Sequence, residues 1–140
     1  MIKKIISSSP VYEQEGLLAI RVILGFFMLY HGWEIFNQVK MNEYIQWDLF
    51  KKSPMGKWLV YAGKGAELIG GLLLMLGMFT RLAALIVMGT MSYICFVIGH
   101  GKIWYEDQHP FLFILLAAVF FFTGAGRYSI DQFILNNNKR

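Results

Sequence analysis

The chain has little cysteine, little proline and little charge for its size. Of its 140 residues one is cysteine, three are proline and 16% are charged. A single cysteine, Cys95, excludes an internal disulfide and any paired-cysteine redox centre. The opening stretch MIKKIISSSP has too short an apolar run for a cleavable signal peptide, so the first span is expected to insert uncleaved. The net charge of +4 is modest, and the basic residues lie mostly in loops and tails. Membrane topology explains that distribution more simply than a nucleic-acid partner does.

In place of charge the chain has hydrophobic residues, 56% of the total, with a mean hydropathy of +0.49. They fall in blocks at 16–36, 57–79, 82–99 and 110–126. A ~30 Å hydrocarbon core takes about 20 helical residues, so each block reads as a membrane span. The predicted fold is all-α: an integral membrane antiparallel four-helix bundle, forming a single domain over residues 1–140. Residues 37–56 form the longest hydrophilic connection and carry a short interfacial helix over 42–50. Thr80-Arg81 reads as a tight turn, 101–110 as a loop, and the tail from Arg127 as polar. With both termini cytoplasmic, that side carries Lys3, Lys4, Arg81, Arg127, Lys139 and Arg140, against Lys40, Lys51, Lys52, Lys57 and Lys102 opposite. The excess of basic residues leans toward both termini inside.

The second block contains Lys64 and Glu67. A charge at bilayer depth costs about 2.5–3.5 kcal/mol on insertion scales and usually faces a bundle interior. Three residues apart, the two share a helix face, and Gly63, Gly70 and Gly71 on that face would admit a close neighbour. Glu67 is therefore expected to point inward, with another helix supplying its partner. In an up-down-up-down bundle, His31 and Glu34 end span one, Lys64 and Glu67 begin span two, His100 ends span three, and Glu106, Asp107 and His109 open span four. These groups meet near one membrane face, the default pointer to a site.

Several readings of that convergence stand side by side. Lys64 and Glu67 form a proton-handling or ligand-binding pair, or a structural lock. His31, Glu34, Glu67 and His100 have ligand chemistry that suits iron, zinc or manganese, but no HExxH or ExxH pair is present and no metal is assigned. A haem between His31 and His100 is disfavoured because both lie at span ends. A quinone head group needs a donor and an acceptor in an aromatic pocket near the interface. Tyr30, His31, Trp33, Glu67, Tyr93, His100 and Trp104 could supply these, with Lys64 and Glu34 beside them. A histidine near its intrinsic pKa of about 6.5 can exchange protons with a reduced quinone. Arg21 is read as snorkelling to the near headgroups; the alternative is a buried tie to Asp131 or to carbonyls at the end of span four. Gly124-Ala125-Gly126-Arg127 reads as a helix terminus with a tight turn.

Arg21 with Gly25, the run Tyr30-His31-Gly32-Trp33, ELIGGLLL from Glu67, GMFTRLAA from Gly77, His100, and TGAGRYSID from Thr123 to Asp131 resemble the DoxX family of small four-helix membrane proteins. The likeness covers roughly residues 16–131. It implies residence in the bacterial inner membrane. It also implies a link to the membrane part of thiosulfate:quinone oxidoreductase, to redox-stress complexes, or to quinone or catechol detoxification. The expected function is a redox-associated membrane protein that binds a quinone or similar small aromatic. Glu67 and His31 would handle protons and the other named residues would line the site. No cofactor motif is visible, so electrons would come from a substrate or a partner protein, and whether the chain is itself an enzyme stays open. The alternative is a non-enzymatic anchor for a soluble redox partner, contacted through loops 37–56 and 101–109. A small-molecule carrier is a third reading, and would require a homo-oligomer.

Overall fold

The computed structural model describes residues 10–137. Helix α1 spans Glu13–Gly32 and continues as a 3-10 turn, Trp33–Phe36. Two short helices follow, α2 (Gln38–Ile45) and α3 (Asp48–Lys51). Then come α4 (Gly56–Leu76), α5 (Thr80–Tyr93) with a π-helical extension Ile94–Ile98, α6 (Gln108–Thr123) and α7 (Ile130–Asn137). No strand occurs among the described residues. Three segments are long and apolar enough to cross a membrane: Glu13–Phe36, Gly56–Leu76 and Thr80–Ile98. α6 is apolar but shorter, 16 residues, or about 24 Å at 1.5 Å per residue.

Helix α1 lies along α4, α4 touches α5, and α5 packs on α6. In lipid the hydrophobic effect does not drive helices together, so close approach depends on small residues. Gly25 sits where a Cβ would come 2.6 Å from the Met75 nitrogen, and Gly32 abuts Leu68. Gly71 faces Leu29 and the Gly25 carbonyl. Rising numbers on α1 meet falling numbers on α4, so these two helices are antiparallel. Ala83, Ala84 and Ala117 are fully buried in the main core with Leu24, Met28, Leu74, Val87 and Phe120. The face expected to carry Gly63, Gly70 and Gly71 divides in three. Gly71 meets α1, Gly70 meets Ile86 and Val87 of α5, and a Cβ added at Gly63 would meet open space.

The turn between α4 and α5 falls at Gly77–Phe79, three residues before the expected Thr80-Arg81. Gly77 adopts φ +66°, and the N–H groups of Gly77 and Met78 bond the Leu74 and Leu73 carbonyls at 3.1 and 3.0 Å. That left-handed glycine ends the helix while the sequence is still apolar. Asp131 then caps α5: its two carboxylate oxygens accept from the Phe79 and Thr80 N–H groups at 2.7 and 2.8 Å.

Arg21 corrects an expectation. It does not snorkel but is 1% exposed. Its Nη1 donates to the Leu74 carbonyl at 3.3 Å and Nη2 to the Tyr128 carbonyl at 2.6 Å. The Leu74 carbonyl lies in the last turn of α4, where a cation is favoured by the negative end of the helix dipole; the Tyr128 carbonyl belongs to the segment between α6 and α7. Gly77 leaves room for this; any Cβ there would overlap the guanidinium.

The 37–56 connection is folded against α4, not a simple interfacial helix over 42–50. The Asn37 side chain caps α2 by accepting from the Val39 and Lys40 N–H groups. Met41 and Phe50 are buried against Val60, with Ile35, Tyr44 and Tyr61 around them. α7 lies in the tail expected to be merely polar. Lys3, Lys4, Lys139 and Arg140, which entered the orientation argument, lie outside the described residues.

Candidate functional site

Glu67 is 2% exposed, deep on α4. Its Oε2 lies 3.0 Å from Lys64 Nζ, one helical turn earlier. The expected partner from another helix enters one step further out. Lys64 Nζ also lies 3.0 Å from Glu34 Oε2 and donates to the His31 carbonyl at 3.3 Å. Glu34 accepts in addition from the Tyr44 hydroxyl at 2.7 Å and pairs with Lys40. The Lys64 ammonium stands 5.0 Å from the Tyr44 ring centroid. The result is a continuous chain Glu67–Lys64–Glu34–Lys40, with side-chain exposure rising from 3% through 14% and 15% to 47%. A lone buried carboxylate is costly, and here one ammonium serves two carboxylates.

Outside the spans, burial and then the Glu34 carboxylate raise the Tyr44 phenol well above its usual pKa, so Tyr44 stays a hydrogen-bond donor. The hydrogen bond to Glu34 raises the Lys40 ammonium.

Beside this chain lies a partly open cavity of about 260 Å³. Its walls are mostly apolar and aromatic: Tyr44, Trp47, Phe50, Tyr93, Ile94 and Phe113. The polar groups facing it are His31, Lys64, Glu67, Thr90 and His109. A few convergent polar groups in an apolar pocket is the usual make-up of a small-molecule site. The volume falls just below the ~300–1,000 Å³ typical of such sites, which suits a single-ring head group. The His31 and His109 rings are 5.9 Å apart, and His109 lies 4.5 Å from the Phe113 ring. An ammonium (Lys64), a buried acceptor (Glu67) and two imidazoles can bind a carbonyl or hydroxyl and exchange its proton.

Among the residues singled out from sequence, the structure gathers His31, Lys64, Glu67 and Tyr93 around the cavity and places Glu34 behind Lys64. Tyr30, Trp33, His100 and Trp104 are not in its wall. Tyr30 on α1 and Trp33 on the 3-10 turn are exposed, and Trp104 is 79% exposed. His100 is exposed; only its backbone N–H is engaged, on Asp107 Oδ2 at 3.0 Å. The cause is local. Gly99 N–H bonds the Ile94 carbonyl in a π turn, which rotates the end of α5. Asp107 then holds the loop by accepting also from the Lys102 N–H at 2.8 Å. Those N–H groups, first that of Lys102, hold the Asp107 carboxyl below its usual range. Among the described residues no three His, Cys, Asp or Glu side chains converge as metal ligands.

The sequence reading missed Tyr44, Trp47, Phe50, Thr90 and Phe113, and set His109 at the convergence without giving it a role. The available clue was the apolar stripe within the hydrophilic connection.

The family model for DoxX matches residues 16–100, more than half of the chain. The chain belongs to the DoxX family. The matched region runs from the first turn of α1 through α5, and so includes His31, Glu34, Lys64 and Glu67; His109 and Phe113 lie beyond it. This DoxX protein is similar to an uncharacterized protein of Haemophilus influenzae, 27% identical over 128 residues, covering 86% of this chain and 92% of that one. No solved structure matches it.

Proposed function

We propose that this DoxX protein is a redox-associated protein of the bacterial inner membrane that binds a quinone or similar small aromatic in the cavity beside Glu67. In this reading residues 1–140 form one transmembrane domain, an antiparallel four-helix bundle with α6 as the fourth span and both termini cytoplasmic. The observation that carries the proposal is the placement of Lys64 and Glu67 in the wall of an aromatic-lined cavity. Reduction of a quinone takes up two electrons and two protons. Lys64 would exchange its bond to the His31 carbonyl for one to a quinone oxygen, and Glu67 and His31 would pass the protons that the oxygens take up on reduction. The Lys64–Glu34–Lys40 chain links that point to the exposed surface. Electrons would come from a substrate or a partner protein.

The test is to titrate the detergent-purified protein with a short-chain benzoquinone. Saturable binding is expected, weakened about tenfold or more by Glu67→Gln, since a hydrogen bond to a charged group contributes about 1.5–3 kcal/mol. Non-saturable partitioning, unaffected by Glu67→Gln, would overturn the proposal. A scaffold for a soluble redox partner is the second reading, favoured by the exposed Trp104 and Tyr105 on the 101–109 loop. It predicts no quinone response.

A further inference from the structure

At the end of the protein away from Glu67 lies a second hollow, of about 920 Å³, between the α4–α5 turn, the segment after α6, and α7. Two arginines line it, Arg81 and Arg127, both exposed. Neither forms an ion pair with a described residue. Thr80 also lines it; that residue is 2% exposed, and its hydroxyl has no hydrogen-bond partner among the described residues. One carboxylate borders the hollow, Asp131, but both its oxygens are already held by the Phe79 and Thr80 N–H groups. The rim is apolar. Phe79 and Leu82 are 62% and 55% exposed, and both line the hollow.

Two guanidiniums with no ion pair among the described residues, beside exposed apolar side chains at a helix end, match an amphiphile with an anionic head. Guanidinium presents paired donors that fit phosphate oxygens, and basic pockets between membrane helices recognise anionic headgroups. We propose that this hollow binds an anionic phospholipid of the surrounding bilayer. Arg81 and Arg127 hold the phosphate, and the acyl chains run along Phe79 and Leu82.

The experiment is native mass spectrometry of the detergent-solubilised protein with dioleoyl phosphatidylglycerol, dioleoyl phosphatidylcholine or inorganic phosphate. Phosphatidylglycerol is expected to be retained over phosphatidylcholine. The preference should fall about fivefold in Arg81→Gln or Arg127→Gln and about thirtyfold in the double variant, and should return in the double lysine variant. Both positions are exposed, and thermal melting checks that the glutamine variants stay folded. Equal retention of the two lipids, an unchanged preference in the double glutamine variant, or displacement of the lipid by millimolar phosphate would each overturn the proposal.

Discussion

Lys64→Met isolates the energetics of the buried chain. In the folded protein Lys64 Nζ lies 3.0 Å from both Glu67 Oε2 and Glu34 Oε2. Without it, Glu34 keeps Lys40 and the Tyr44 hydroxyl. Glu67, with its side chain 3% exposed, loses its only hydrogen-bond partner among the described residues. The loss therefore falls on Glu67. Removing one member of a buried pair typically costs about 3–5 kcal/mol, because the other charge is left uncompensated. Lys64 is 14% exposed beside a partly open cavity, so water softens the effect, and about 3 kcal/mol is expected. Removing both charges in Lys64→Met/Glu67→Met should restore most of that, to within about 1 kcal/mol of the parent, since apolar replacement of a whole buried pair is often neutral. Equilibrium unfolding by sodium dodecyl sulfate in mixed micelles, followed by circular dichroism, reads both. The reasoning fails if Lys64→Met costs under about 1 kcal/mol, or if the double variant is no more stable than the single.

Further outcomes follow from other contacts. Gly71→Leu should prevent stable α1–α4 packing, at about 1–3 kcal/mol or more, whereas Gly63→Ala, with open space around it, should be neutral or slightly stabilising; the same unfolding assay separates them. Asp131→Ala removes the cap of α5 and should cost about 0.5–2 kcal/mol, read as a lowered melting temperature. Asp107 has a folded pKa below its unfolded value of about 3.9, so its contribution is present above that value and is lost as pH falls through the folded one. The 99–107 loop should accordingly loosen only in acid below about pH 4, seen as faster proteolysis near Trp104, and Asp107→Asn should abolish that pH dependence.

Three of the four expected spans and the all-α class were legible because long apolar runs bounded by polar residues have few other uses. Lys64, Glu67 and Glu34 were legible because a charge within an apolar run must be answered by a partner. Where the reading failed, a local conformation or a long-range contact decided the outcome. The left-handed Gly77 ended α4 inside an apolar run. The π turn at Ile94–Ile98 carried His100 off the cavity. Tyr44, Trp47 and Phe50 reached the site only because Met41 and Phe50 anchor the connection to Val60, pairings that no periodicity reveals. Arg21 took the buried alternative, a tie to carbonyls, over the snorkelling that was preferred, since Gly77 and the chain after α6 close over it. α7 is short, and its apolar side chains are exposed, so it left no core pattern to read.

The cavity lies against Trp47 and not against Trp33, Trp58 or Trp104. The most direct measurement is therefore quenching by a short-chain benzoquinone in two single-tryptophan variants, one keeping Trp47 and one keeping Trp104. The account predicts saturable quenching of Trp47, suppressed by Glu67→Gln, and only collisional quenching of Trp104. Equal, non-saturable quenching of both, indifferent to Glu67→Gln, would contradict it.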